Sequence, residues 1–263
     1  MAEQTLTINN LRSVWESTDA LLSGLSDDEW QTQSLCPDFD ALGILVHLAA
    51  VEAVLSGWLP NGIETPPPFD KMGPFMAEVA DWSGPQLLDR TREVMAGRLA
   101  ELEAMAPDTF GGPSLTPAGP ATYDRFIEIR VFDFWVHERD LRTPLNRPAA
   151  SDGGPPAAMA LSEVHRSLGY IVGKKIGLPD GKGITFRLHG GLDTELHAAV
   201  DGRAAVVDQL DNPDVVVDAD FVTFMQLACG RIDPEPQIEA GLISWSGDDE
   251  WGARAARNLA YTM

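Results

Sequence analysis

Apolar residues recur every three or four positions through the first 145 residues, and parts of the remainder alternate instead. Ile8, Leu11, Val14, Trp15, Leu21, Leu22 and Leu25 form one stripe, the spacing that turns a single helix face towards a core. Ser26, Asp27, Asp28 and Glu29 then offer a turn or a fresh helix start. After Cys36, Pro37 and Asp38, a good N-terminal signal, Leu42, Leu45, Val46, Ala49 and Val54 predict a second helix. It is apolar almost all round, so it needs neighbours on several sides. The Pro-rich stretch Thr65 to Phe69 breaks the pattern, and Pro85 to Met105 resumes it with Leu87, Leu88, Thr91, Val94, Met95, Leu99 and Leu102 inside. A loop is expected over Pro107 to Pro120. Tyr123 to Leu141 then carries Phe126, Ile127, Arg130, Asp133, Phe134, His137 and Leu141 on one side. Four such helices suffice for a bundle.

Thr143 to Pro156 holds too much Pro and Gly to continue a helix and reads as a linker. The expected domains are therefore a four-helix bundle over residues 1–145 and a small α+β domain over residues 157–263. In the latter, Ala157 to Ile176 is predicted helical, and Ile184 to Leu188, Glu195 to Val200 and Val215 to Val217 read as strands. Asp218 to Cys229 and Asp248 to Tyr261 return to helical spacing.

Charge narrows the partners. The 263 residues hold 40 acids against 19 bases, a net −21. Ten bases and 23 acids up to position 150 leave −13, and nine against 17 leave −8 beyond it. Neither part has the clustered Lys and Arg that a nucleic-acid backbone or an anionic membrane requires. A small molecule is the expected partner. Cys36 and Cys229 cannot supply a disulfide framework or a four-thiolate zinc site. MAEQTLTINN lacks the features of a secretory signal. Ala41 to Leu55 is 15 residues long and carries His47 and Glu52, short of the about 20 apolar residues of a spanning helix. The chain reads as cytoplasmic.

Asp133 and His137 lie four apart on one helix face, close enough to share a metal ion. His47, on the apolar second helix, needs a hydrogen-bonding or metal partner. Plainer accounts stand beside this one: a core His is commonly hydrogen-bonded, and the Asp-x-x-x-His spacing arises by chance in many helices. Asp140, three residues after His137, is placed to orient that imidazole or to form an exposed ion pair. Glu138 is expected to face solvent or Arg142, and Glu52, near the end of its apolar run, to act as a base behind the metal ligands or, more simply, to be solvated at its helix end. Trp58 and Trp135 lie near enough to these motifs to wall a pocket. The Gly-rich turns lack the strand, loop and helix order of a phosphate site.

LCPDFDALGILVHLAAVE (Leu35 to Glu52) and RVFDFWVHERDLR (Arg130 to Arg142), taken in order, resemble the DinB-like family of mycothiol-dependent maleylpyruvate isomerases. FVTFMQLACGR (Phe221 to Arg231) is similar to that family's sterol-carrier-like C-terminal module. The resemblance implies a DinB-like bundle holding a divalent metal, usually zinc, through a second-helix His and a Glu-x-x-x-His pair on the fourth helix. Those positions match His47, Asp133 and His137, with Asp133 standing where the family pattern has Glu. It also implies a catalytic Arg from the C-terminal module, best matched by Arg231 after Gly230, and mycothiol as the thiol cofactor. Isomerisation or S-transfer on a small electrophile follows. The alternative from another class is a non-catalytic protein that binds a metal in its bundle and an apolar ligand in its C-terminal module.

Overall fold

A computed structural model describes residues 2–262, and the chain divides into two units, Met1–Pro148 and Ala149–Met263. The first contains the helices α1 (Ala2–Ser23), α2 (Ala41–Leu55), α3 (Met72–Glu78), α4 (Gly84–Ala104) and α5 (Pro107–Phe110). A hairpin of β1 (Pro113–Thr116) and β2 (Gly119–Thr122) then leads into α6 (Tyr123–Arg142). The four long helices, α1, α2, α4 and α6, bury much of the stripes that periodicity predicts, among them Leu11, Leu45, Ala49, Leu102 and Phe126, while Leu42, Val46 and Val54 of α2 are half-buried.

Local chemistry sets where these helices begin. Asp40, in extended backbone, accepts a hydrogen bond from Gly43 N at 2.7 Å and caps α2, two residues later than the Cys36-Pro37-Asp38 signal suggests. Its carboxylate satisfies one of the N–H groups that a helix start leaves without an internal partner. Ser83 and Gln86 form a capping box on α4, and Thr122 caps α6 through Arg125 N at 3.2 Å. The Ser26 to Glu29 signal yields a single 3₁₀ turn at Glu29–Gln31, closed by Ser26 N donating to Glu29 Oε2 at 2.8 Å.

The loop expected over Pro107 to Pro120 is instead α5 and most of the hairpin. Strands of four residues, burying Ser114 and Thr116 rather than apolar side chains, leave little alternation to read. Gly119, at φ 102°, supplies the left-handed residue that the tight reversal needs. Between the Pro-rich break and Pro85 lies α3, which the periodicity does not mark.

In the second unit, α7 (Pro155–Tyr170) runs on through a π turn, Ile171–Ile176, and stops at Gly177 with φ 74°. A five-stranded sheet follows, formed by β3 (Gly183–His189), β4 (Thr194–Asp201), β5 (Arg203–Val207), β6 (Val215–Asp220) and β7 (Ile243–Gly247) in the order β5-β4-β3-β6-β7. Within it only β3 and β6 pair in parallel. Ile184, Phe186, Leu188, Ala198, Val215, Val217, Ala219 and Ile243 lie on one face and form its core. The helices are α8 (Phe221–Ala228), α9 (Pro234–Glu239) and α10 (Asp249–Arg257).

Asp218 to Asp220 belong to β6, not to a helix. Asp220 caps α8 through Thr223 N at 2.9 Å, so helical backbone begins only after it. The last helix ends at Arg257 rather than Tyr261. Strands β5 and β7 and helix α9 have no counterpart in the periodicity, being short and half-exposed.

The cap on α2 generates a stability prediction. Replacing Asp40 by Ala removes the acceptor from Gly43 N and should cost about 1 kcal/mol in urea unfolding. An unchanged midpoint would show that water replaces this cap without loss.

Candidate metal centre

His47 sits on α2, seven residues past the Asp40 cap, and Asp133 and His137 occupy one face of α6. The fold brings the three together. His47 Nε2 is 3.3 Å from Asp133 Oδ2, and His137 Nε2 is 3.5 Å from Asp133 Oδ1. The two imidazole rings lie 5.1 Å apart at 73°, and one donor atom from each residue falls within 4.8 Å of the others. The side chains of His47 and Asp133 are 29% and 24% exposed, against 8% for His137. One side of the cluster thus meets solvent while the other is closed. Phe39 stacks on His47 at 5.6 Å and restrains that ring.

Fixed charges define what the cluster can hold. Burial by itself would raise the Asp133 carboxyl, but the Arg130 guanidinium, and after it His137 and His47, outweigh burial and hold it well below the usual carboxylate range. Arg130 Nη1 donates to Asp133 Oδ2 at 2.6 Å. Asp133 is therefore an anion at any physiological pH. On the far edge of the His137 ring, fully buried Asp140 places Oδ2 3.0 Å from Nδ1. In the neutral ring the contact with Asp140 favours the proton on Nδ1, which leaves the Nε2 lone pair on the side of Asp133 Oδ1. In that form two electron pairs face each other across 3.5 Å, and either a proton or a metal ion between them relieves the repulsion. Zinc with bonds of about 2.0 to 2.1 Å spans tetrahedral edges of about 3.3 Å, close to both measured separations. Two imidazoles and a carboxylate, one imidazole steered by a second carboxylate, suit a divalent ion.

Several neighbours depart from expectation. Glu52 is not solvated at a helix end: it is fully buried and accepts from Arg130 Nε at 2.7 Å. Glu138 does meet Arg142, at 2.7 Å, but buried, and it also takes bonds from Arg139 and Ser17. Asp140 is the buried partner of His137, not an exposed ion pair. Trp135 lies beneath the Arg139 guanidinium at 4.0 Å, and Trp58 packs on Tyr123 and Phe126. Cys36, buried, stands by His137 and Asp140 rather than with His47 and Asp133. In the other unit, Arg231 follows Gly230, whose φ is 66°; its backbone N donates to Gln226 O at 2.8 Å and its Nη1 to Cys229 O at 3.2 Å.

Arg130 is the residue whose role sequence reasoning missed. A guanidinium three positions before Asp133, on an otherwise apolar face, was the available signal, since i,i+3 neighbours meet on a helix.

Comparison with known proteins finds likenesses over most of the chain. The sequence profile of the mycothiol maleylpyruvate isomerase N-terminal domain matches residues 11–142, and that of the C-terminal domain of the same isomerases matches residues 158–254. Among solved structures, a mycothiol-dependent maleylpyruvate isomerase superposes with a TM-score of 0.61 at 17% identity, over 92% of each chain. A histidine-to-alanine variant of such an isomerase matches with a TM-score of 0.61 at 18% identity, again over 92% of each chain. Among curated proteins none matches by sequence. Among the described residues, no helix is long and apolar enough to cross a membrane.

The contact between Asp140 and His137 predicts a tautomer. Long-range proton–nitrogen NMR above about pH 8, where an ordinary imidazole is neutral, should find the His137 proton on Nδ1, and Asp140→Ala should release that preference. A proton on Nε2 in the parent would contradict this orientation of the ring.

Proposed function

The chain belongs to the mycothiol maleylpyruvate isomerase family, and from that premise we propose that it is a metal-dependent enzyme using mycothiol on a small electrophilic substrate, by isomerisation or S-transfer. The supporting observation is the meeting of His47, Asp133 and His137 at one half-open point, with Asp140 fixing the tautomer of His137. His47, Asp133 and His137 are the residues that would hold the ion. A divalent ion such as zinc held there would supply a Lewis acid able to lower the pKa of a thiol towards neutrality. Mycothiol brings the nucleophilic sulfur for reversible addition to a conjugated double bond.

This chain's own residues then have separate tasks. Asp133, kept ionised by Arg130, contributes negative charge that does not titrate in the working range. Asp140 holds a proton at Nδ1 of His137 and so reserves Nε2 as a donor. Phe39 covers one face of His47 and limits water on that side. In the same proposal Arg231 serves as the cation for the substrate's carboxylate or the enolate formed on addition, since a guanidinium is always charged and can give two parallel hydrogen bonds.

Purified protein should carry about one divalent ion per chain, a single three-ligand site allowing no more. His47→Ala, Asp133→Ala and His137→Ala should each lower that content, whereas Asp133→Glu should retain it. Full metal in His47→Ala would remove the α2 donor from the set. Acid acts through the imidazoles. Coordination needs them neutral, so occupancy is complete above the reference His value of about 6.5 and falls below it. Asp133, already held low, does not set that limit. Retention of metal to about pH 4 would contradict imidazole ligation.

Turnover provides an independent check. With maleylpyruvate and mycothiol, the parent should isomerise the substrate only when the thiol is present. Arg231→Met should keep metal and fold yet lose on the order of tenfold or more in turnover, and Arg231→Lys less. Equal rates in Arg231→Met and the parent would return this residue to a structural role. Tight binding of an apolar ligand with no thiol effect on a cobalt spectrum would favour a binding protein over an enzyme.

A further inference from the structure

The two imidazoles at the candidate centre are held by different means. His137 has fully buried Asp140 behind it, with Oδ2 3.0 Å from Nδ1, the kind of carboxylate partner that orients metal-binding histidines. His47 has no such partner: among the described residues its one hydrogen-bonding contact is that of Nε2 with Asp133, on the side where the ion would sit. An imidazole fixed only there turns about its Cβ–Cγ bond at little cost, because such terminal torsions have broad minima. What lies against its face is the Phe39 ring, stacked at 5.6 Å and 26°.

Several bonds fix the backbone that carries this ring. Three donors converge on the Phe39 carbonyl: Ser34 Oγ at 2.6 Å, Gln33 Nε2 at 2.9 Å and Ser34 N at 3.1 Å. Phe39 N donates to Cys36 O at 3.1 Å and Cys36 N to Ser34 Oγ at 3.1 Å, so the segment from Gln33 to Phe39 closes on itself. Leu35 N donates to Asp140 O at 2.9 Å and moors that segment to α6. Room for the ring comes from α2. Gly43 lies four positions before His47, about one turn, and a Cβ there would stand 3.2 Å from Phe39 Cδ1. We propose that Phe39, pinned by Ser34 and Gln33, is the positioning residue of His47 and does for that ring what Asp140 does for His137. The inference rests on the proposed metal site. A flat contact on one face hinders rotation of the imidazole plane, so Nε2 stays directed at Asp133. Folding then sets the orientation in advance, and an ion need not impose it on binding.

The test combines proton NMR of the metal-free protein with cobalt(II) titration. Ser34→Ala leaves the Phe39 ring in the chain but removes its shortest pin. The His47 ring protons, shifted in the parent by the ring current of Phe39, should therefore move in Ser34→Ala towards the positions they take in Phe39→Leu. Both variants should keep the helical circular dichroism and bind cobalt on the order of tenfold more weakly, as loss of a group that orients a ligand does. Phe39→Tyr, which keeps the flat face, should bind like the parent. Parent-like cobalt affinity in Phe39→Leu, equal losses in Phe39→Leu and Phe39→Tyr, or unmoved His47 resonances in Ser34→Ala would each overturn the inference while leaving the metal site standing. A parent that binds no cobalt would overturn the metal reading and this inference with it. Should Ser34→Ala fail to fold, the cobalt affinities of Phe39→Leu and Phe39→Tyr decide: a loss confined to the first supports the role of the ring, and any other result overturns it.

Discussion

The N-terminal unit turns on the pairing of one anion with one buried cation, Asp133 with Arg130. Partial burial by itself raises the Asp133 carboxyl, and the guanidinium is the largest of the charges that offset this and keep it an anion able to serve as a ligand and a partner for His47. With it, the charge is kept, and the difficulty moves inward to Arg130, which needs an anion of its own. Glu52 meets that need and passes the same demand to Arg98, which ends at Tyr123 and at the half-exposed Glu101. The chain of signs stops where solvent can again do the solvating.

Such a network constrains the helices more tightly than apolar contact does. Leu and Val side chains can slide by a rotamer and lose little, whereas charge-assisted bonds of 2.6 and 2.7 Å tolerate little displacement. Helices α2, α4 and α6 are thereby held in mutual register at the level where His47 must reach Asp133. The caps act at the other end of the same problem: Asp40 and Thr122 define where α2 and α6 begin, and so on which face each later residue falls. Asp140 completes the arrangement, and its own backbone carbonyl accepts from Leu35 N at 2.9 Å, tying the segment before α2 to α6.

The second unit is built by different rules. Its mixed sheet buries one face under its own helices, and its ion pairs, such as Lys182 with Asp214 and Asp248, bridge loop ends at the surface. The likeness to solved maleylpyruvate isomerases extends over both units, but at 17 to 18% identity it speaks for the fold. Chemistry must be argued from side chains.

Much of the fold is legible in the amino-acid sequence. Periodicity alone locates four long helices, because a helix that buries one face must repeat apolar residues near 3.6 positions, and the change to alternation marks the sheet. It also places Asp133 and His137 on one face, since four residues make about one turn. Short elements escape for the same reason in reverse: β1, β2, β5, α3 and α9 are too brief, or too exposed, for a period to show. Which residues meet across helices is decided by the tertiary fold. Glu52 reads most simply as a solvated position near its helix end, because a sequence shows a charge but not the distant countercharge that will face it. Only packing brings Arg130 of α6 and Arg98 of α4 to Glu52, and Ser17 of α1 to Glu138, whereas Arg142 meets Glu138 through the four-residue spacing of α6 itself. Local periodicity is a property of the chain; the pairing of buried charges across helices depends on distances between segments 46 to 78 residues apart, which no local pattern encodes.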